Sequence, residues 1–241
     1  MWPGFTEIPH VLAFCKYAGP SSIITYAGTT APDWILGKTL GASAVGLYSR
    51  ANGTIVMFSS AFMDAISSVT LPLFSKQHRE GGVNSAQYLV FMENITAVAW
   101  PFFVTLFIIS EPAINILFGD QWLESSPVLK ILCINAFLMY ATILVNDLLL
   151  ATGNVKKSFY LNIIFQTSTI VAVLLTASYG LEEVAMAITI VGLIRFIFFQ
   201  QACQKLLNRK IASFAPIVTK NLLLTLFCAV PSILFMEIIG K

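Results

Sequence analysis

The chain has 241 residues, of which 57% are hydrophobic and only 11% are charged, and its formal net charge is +2. A soluble domain keeps about a quarter of its residues charged, so this composition excludes an ordinary soluble protein. Mean hydropathy is +0.80. We therefore expect an integral membrane protein with no nucleic acid among its partners.

Apolar runs of bilayer length recur along the chain and predict about seven transmembrane helices. A hydrocarbon core of about 30 Å requires roughly 20 apolar residues per helix. In chain order, the predicted helices cover residues 19–40, 44–74, 85–109, 127–150, 158–178, 184–206 and 215–239. Residues 111–118 are too short to cross alone, so they are expected to continue the third helix or to lie at the interface. The predicted fold class is all-α, a transmembrane helix bundle.

The connections between the predicted helices are short and carry an uneven charge. Basic residues concentrate in alternate connections, and the positive-inside rule places these connections in the cytoplasm. They are Lys16, Lys76, Arg79, Lys156, Lys157, Lys205, Arg209, Lys210 and Lys220. The opening segment lacks the basic start and apolar core of a signal peptide. We expect a multi-pass protein whose amino end lies inside.

Residue types that carry catalysis or bind metals are sparse. The four cysteines form no CxxC pair, which predicts small apolar packing residues and neither a disulfide nor a zinc site. The two histidines, His10 and His78, lie in connections, and no nucleophile–base pair stands out. A membrane polymerase or ligase needs a sizeable loop that holds catalytic acids or metal ligands. We therefore expect no enzyme, no metal and no cofactor.

Several short segments, taken together, point to a known family. They are 33–41 (DWILGKTLG), 45–51 (VGLYSRA), 71–75 (LPLFS), 117–122 (LFGDQW) and 149–153 (LLATG). In this order and spacing they resemble signature segments of bacterial polysaccharide transporters, the lipid-linked oligosaccharide (O-antigen-type) flippases of the MATE-like superfamily. One departure is the pair Glu182-Glu183, where members of that family commonly have a glycine.

The resemblance implies an architecture of two six-helix lobes around a central cavity, often with two extra helices. This chain is similar to the second lobe: residues 1–18 form a cytoplasmic lead-in, 19–206 the six-helix lobe and 207–241 an additional, truncated helix. The implied activity is translocation of polyprenyl-diphosphate-linked oligosaccharide across the bacterial inner membrane for surface polysaccharide biosynthesis. The implied partners are this substrate, membrane lipid, an amino-terminal lobe and the polysaccharide polymerase machinery.

Charged side chains within the predicted spans cost about 2.5–3.5 kcal/mol each at a helix centre, so each one requires a reason. Arg195 lies near mid-depth, where a guanidinium can bind the oxygens of a diphosphate bidentately. The alternative role of Arg195 is structural, as the partner of Asp147 or Asp64 in an ion pair. Asp33, Asp64 and Asp147 are candidates for binding a coupling proton or sodium ion. For Asp33 the alternative is an interfacial cap or an ion pair with Lys38.

Polar side chains recur at helical spacing and predict three stripes. Asn135, Thr142 and Asn146 follow i, i+7 and i+11, and Asn162 and Gln166 begin a second stripe that continues through Thr169 and Thr176. The third stripe contains Asn52, Ser59, Ser60, Asp64, Ser67 and Ser68. Stripes of this kind suit a hydrated path for sugars, and Asn135, Asn146, Asn162 and Gln166 are the candidates for that path. Such residues also hold transmembrane helices together.

Two other functions are compatible with the same sequence. One is an ion-coupled multidrug exporter of the same fold, although segments 45–51 and 117–122 favour the polysaccharide branch. The other is an accessory membrane subunit without transport activity of its own.

Overall fold

The computed structural model describes residues 8–208 and 214–239, and every regular element within them is helical. The elements in chain order are α1 (Ile8–Thr39), α2 (Ala42–Arg79), α3 (Ser85–Ile108), α4 (Ser110–Phe118), a 3-10 turn (Asp120–Ser125), α5 (Ser126–Tyr140), α6 (Ile143–Ala151), α7 (Val155–Thr176), α8 (Leu181–Leu207) and α9 (Ala215–Ile239). The basic pair Arg209 and Lys210 lies outside the described residues, as do residues 1–7.

Five helical segments are long and apolar enough to cross a membrane. They are Ala42–Arg79, Ser85–Ile108, Asp120–Ala151, Val155–Thr176 and Ala215–Leu234. The predicted all-α membrane fold is therefore confirmed. The first and sixth predicted spans lie in α1 and α8, which are helical throughout those spans but are not among the five. The number of seven crossings, and the division into lead-in, lobe and additional helix, stay predictions.

Two helix boundaries differ from those predicted. Helix α1 begins at Ile8, within the predicted lead-in. The predicted helix 127–150 is wrong as a single element, because it is interrupted between Tyr140 and Ile143. The backbone amide and the hydroxyl of Thr142 both donate to the carbonyl of Met139, at 3.0 and 3.2 Å. A Thr side chain that bonds its own backbone competes with the i→i−4 ladder, and here the helix breaks.

The short segment 111–118 forms a helix of its own, α4. Ile109 separates it from α3 with φ −95° and ψ 23°. It ends at Gly119, whose φ of 91° is a conformation that glycine adopts without strain. Of the two predicted alternatives, continuation of the third helix is therefore wrong.

The centre of the bundle is α5, which packs against α2, α3 and α8. Around it lie fully buried side chains such as Phe103, Leu129 and Leu148. Helix α1 packs along α7, and α9 packs along α3. Cys133, Cys203 and Cys228 are free thiols, the first two buried, and the side chain of Cys15 lies outside the described part of the chain.

Segments 45–51 and 117–122 contact each other. A Cβ added to Gly46 would lie 3.0 Å from the ring of Trp122, so any other residue would require the ring to shift by a few tenths of an ångström. The guanidinium carbon of Arg50 lies 4.8 Å from the Trp122 ring centroid and 5.1 Å from that of Phe118. Both distances are within the range of cation–π attraction. These contacts hold α2 against the segment that joins α4 to α5.

Candidate functional site

A polar cavity of about 460 Å³ lies between α1, α6 and α7, and we call it the α1/α6/α7 cavity. Its lining residues are Ser21, Ser22, Thr25, Tyr26, Thr29, Asn146, Leu150, Val155, Ser158 and Asn162. Its volume falls within the range of about 300–1,000 Å³ that is usual for small-molecule sites. Two of the predicted site residues, Asn146 and Asn162, thus meet at one cavity.

A chain of hydrogen bonds fixes the side chains of this cavity. Ser158 Oγ donates to Asn146 Oδ1 at 2.6 Å, and Asn162 Nδ2 donates to Ser21 Oγ at 3.1 Å. Asn162 Nδ2 also lies 3.5 Å from Ser158 Oγ. The four side chains come from three helices, so the network orients the two amides and joins α1 to α6 through α7.

A second, smaller cavity lies between α5, α7 and α8 and has a volume of about 50 Å³. It brings together three predicted site residues, Asn135, Gln166 and Arg195. A water molecule occupies about 30 Å³ in the liquid, so this cavity has room for water but not for a diphosphate. In this conformation the predicted phosphate contact of Arg195 therefore has no space for its ligand.

Arg195 has an aromatic neighbour rather than an acidic one. Its guanidinium carbon lies 4.9 Å from the centroid of the Phe199 ring, one helical turn further along α8. It forms no ion pair within the described part of the chain. The alternative pairing with Asp147 or Asp64 is therefore wrong. A guanidinium stacks on a ring at a smaller desolvation cost than an ammonium, because it is more weakly hydrated.

Asp147 is the most buried of the three candidate carboxylates, with 8% of its surface exposed. Thr70 Oγ1 on α2 donates to Asp147 Oδ2 at 2.6 Å, and Ser67 lies beside the same carboxylate. Because these groups belong to different helices, the bond ties α6 to α2.

The other two candidate carboxylates occupy different surroundings. Asp33 is half-buried beside Ser49, and its predicted ion pair with Lys38 is not formed. Asp64 is exposed on α2. The three carboxylates do not converge, and within residues 8–208 and 214–239 no cluster of three or more His, Cys, Asp or Glu side chains is placed to hold a metal ion.

The predicted stripe through Asn135, Thr142 and Asn146 is interrupted at Thr142, where α5 gives way to α6. Its two asparagines line different cavities, Asn135 the smaller and Asn146 the larger. The α7 stripe is continuous but serves both cavities, with Asn162 at the larger and Gln166 at the smaller.

Sequence reasoning missed two groups of site residues. One is the hydroxyl-rich face of α1 from Ser21 to Thr29, which lines the larger cavity. The other is a pair of glycines: a Cβ on Gly28 would collide with Gln166, and one on Gly192 would collide with Asn135. Serines and threonines at spacings of three to four residues in α1 were the available signal for the first group.

A polar contact also anchors α9, the last described helix. Asn221 is 1% exposed, and its Nδ2 donates to Thr96 Oγ1 at 2.6 Å and to the carbonyl of Glu93 at 2.9 Å. Lys220 forms an ion pair with the Glu93 carboxylate. This contact was not predicted, because nothing in the local sequence shows which helix α9 packs against.

Fold and site together define a multi-pass, all-α membrane protein whose polar side chains gather around cavities between its helices. The model of the polysaccharide biosynthesis protein family matches residues 3–127, slightly more than half of the 241-residue chain. The chain belongs to this family, and the family resemblance predicted from the signature segments is confirmed.

Three curated relatives show how far the similarity extends. The teichuronic acid biosynthesis protein TuaB of Bacillus subtilis is 23% identical over 216 residues, which cover 88% of this chain and 44% of that protein. The lipopolysaccharide biosynthesis protein WzxC of Escherichia coli is 26% identical over 152 residues, 63% of this chain and 31% of that protein. The succinoglycan biosynthesis transport protein ExoT of Rhizobium meliloti is 26% identical over 132 residues, 54% and 27% of the two chains.

The chain spans less than half the length of each of these relatives. No solved structure matches it significantly.

Proposed function

We propose that the chain forms one lobe of a flippase in the bacterial inner membrane. Its cargo would be a polyprenyl-diphosphate-linked oligosaccharide that moves from the cytoplasmic to the outer leaflet during surface polysaccharide biosynthesis. The names of the relatives support this proposal, since they refer to teichuronic acid, lipopolysaccharide and succinoglycan, and one includes transport. The further partners of the proposal are an amino-terminal lobe and the polymerase machinery.

The observation that carries the proposal is an exposed polar stripe on an otherwise apolar helix. Ser60, Asp64 and Ser68 on α2 are all exposed and follow i, i+4 and i+8. Helix α2 is nevertheless apolar enough to cross a membrane. A carboxylate near the centre of a lipid-facing helix costs about 2.5–3.5 kcal/mol. This stripe is therefore expected to face water or another protein surface rather than lipid, as one wall of a passage between two lobes would.

Within this proposal, Arg195 handles the diphosphate, and Asp33, Asp64 and Asp147 remain candidates for ion coupling. Access of a phosphate to Arg195 requires α5, α7 and α8 to separate, because the present cavity holds only water-sized groups. Rocking of repeated halves around a midplane site is the usual means by which transporters open such a site.

The test is complementation of a flippase-deficient bacterium by the chain, expressed alone and together with an amino-terminal lobe from a relative. We expect restored surface polysaccharide with wild-type Asp64 and loss of rescue in Asp64→Leu at equal membrane levels. Glu182→Leu, the removal of an exposed carboxylate at the start of α8, is the matched control and should rescue fully.

Other results of the same assay would support one of the two alternative functions. Efflux of cationic dyes without polysaccharide rescue would show a multidrug exporter. Failure of both assays with every partner lobe would contradict a transport function and favour an accessory subunit.

A further inference from the structure

The α1/α6/α7 cavity differs from the smaller cavity in the charge of its walls. None of its ten lining residues carries a formal charge at neutral pH, whereas Arg195 lines the smaller cavity instead. An ionised group that enters this cavity loses part of its hydration without gaining a counter-charge. The larger cavity is therefore suited to a ligand that is polar but neutral.

The hydrogen-bond network uses only one end of each of the two amides that line the cavity. Asn162 Nδ2 bonds Ser21 and Ser158, and Asn146 Oδ1 accepts from Ser158. Among the side chains that the structure describes, Asn162 Oδ1 and Asn146 Nδ2 form no hydrogen bond of their own. Both amides bond serine hydroxyls, which can donate or accept, so each amide keeps one polar atom, its oxygen or its nitrogen, outside the network.

The two amide atoms outside the network, whose side chains are held by the serine hydroxyls, complement the hydroxyl groups of a sugar ring. Each sugar hydroxyl both donates and accepts, so neighbouring hydroxyls can satisfy Asn162 Oδ1 and Asn146 Nδ2 together. Tyr26, which is 73% exposed at the cavity edge, adds an aromatic face beside the polar groups. Such a mixture of a few fixed polar groups and apolar surface is typical of small-molecule sites.

We propose that the α1/α6/α7 cavity binds one uncharged sugar unit, with Asn146 and Asn162 as its hydrogen-bonding residues. The inference rests on the proposed function for the source of that sugar, a unit of the translocated oligosaccharide. Binding itself is a property of the cavity and can be measured without transport.

The test is saturation-transfer NMR on the purified full chain in lipid nanodiscs, since many detergents carry sugar head groups. The probes are the neutral methyl glycosides of glucose, galactose, mannose and N-acetylglucosamine, with methyl glucuronide as the charged counterpart. We expect at least one neutral glycoside to bind and the glucuronide to bind about tenfold more weakly, because its carboxylate finds no counter-charge. Asn162→Leu should weaken the neutral probe about tenfold, by leaving a sugar hydroxyl unpaired.

Two further variants complete the test, one as a surface control and one that fills the cavity. Asn115→Leu makes the same change on the exposed surface of α4 and should leave binding unchanged. Thr25→Phe fills the cavity from α1 without removing a member of the hydrogen-bond network, and it should abolish binding at an unchanged melting temperature.

The inference is overturned if no neutral glycoside binds, if the glucuronide binds equally well, or if neither Asn162→Leu nor Thr25→Phe weakens binding. Complementation without any sugar binding would overturn this inference alone. Sugar binding that depends on Asn162, without complementation, would overturn the proposed function alone.

Discussion

At the residue scale, Gly46 sets how closely α2 approaches Trp122. We expect Gly46→Leu to lower the free energy of unfolding by about 1–3 kcal/mol, because the added side chain overpacks the ring. Gly53→Leu on the same helix is the matched control, since nothing lies within 4 Å of a Cβ at that position. Thermal unfolding of both purified variants measures the difference. Equal melting temperatures would show that Trp122 moves aside without cost.

Arg195 is half-buried and has no acidic partner among the described residues. We expect Arg195→Met to unfold at the same temperature as wild type or higher, because a partly buried charge without a counter-ion is costly to desolvate. The same variant should lose polysaccharide rescue if the charge serves the diphosphate. Lys205→Met, at an exposed position of α8, is the control for both measurements. A destabilised variant that still rescues would make Arg195 a structural residue.

The hydroxyl of Thr70 satisfies a buried carboxylate. Thr70→Val removes this donor at constant shape and should lower the free energy of unfolding by about 1–3 kcal/mol. Thr54→Val is a matched control, because Thr54 is also buried on α2 but bonds only the Arg50 carbonyl of its own helix. Chemical denaturation of the two variants side by side gives the comparison, and equal losses would contradict a special role for the Thr70–Asp147 bond.

At the scale of elements, two neighbouring residues hold α9 to α3 by different means. Asn221 is buried and makes two hydrogen bonds, whereas the side chain of Lys220 in its ion pair is 72% exposed. An exposed ion pair contributes about 0–1 kcal/mol. We therefore expect Lys220→Met to leave the unfolding temperature nearly unchanged and Asn221→Leu to lower it clearly.

The control for this comparison is Thr219→Val, because Thr219 is exposed on α9 and bonds only carbonyls of its own helix. A larger loss in Lys220→Met than in Asn221→Leu would contradict this account.

Helices were predictable from the sequence because bilayer-length apolar runs leave few other structures possible. The break at Thr142 was not, since residues 128–150 have the composition of a continuous helix and contain neither Gly nor Pro. It depends on the local hydrogen bonds that Thr142 makes to Met139. The existence of α4 as a separate helix was predictable in part, because residues 111–118 are too few to cross the membrane alone and Gly119 favours a helix end.

The candidate site was predictable only in part, because spacing places residues on one face of a helix but does not tell which neighbour that face meets. Asn146 and Asn162 were found and do meet, whereas Asn135 and Gln166 belong to another cavity. The contribution of α1 was missed because its partner, α7, lies far away in sequence.

At the scale of the whole molecule, the exposed polar stripe of α2 contrasts with the exposed apolar side chains of other helices. We expect Ser60→Cys, in a background without the four native cysteines, to react with a membrane-impermeant maleimide in cells. Leu174→Cys, an exposed apolar position of α7, should stay unlabelled because lipid covers it. Labelling of the second position and not the first would place the polar stripe against lipid or a tightly sealed protein surface.

Helix α6 is only nine residues long and carries Asn146 and Asp147 next to each other. Asn146 points to the α1/α6/α7 cavity, and Asp147 is bonded to Thr70 on α2, the helix that bears the exposed stripe. Because both side chains extend from the same short helix, a rotation of α6 about its axis would displace both. Movement of Asn146 at the cavity would thereby reach Thr70 and α2 through Asp147.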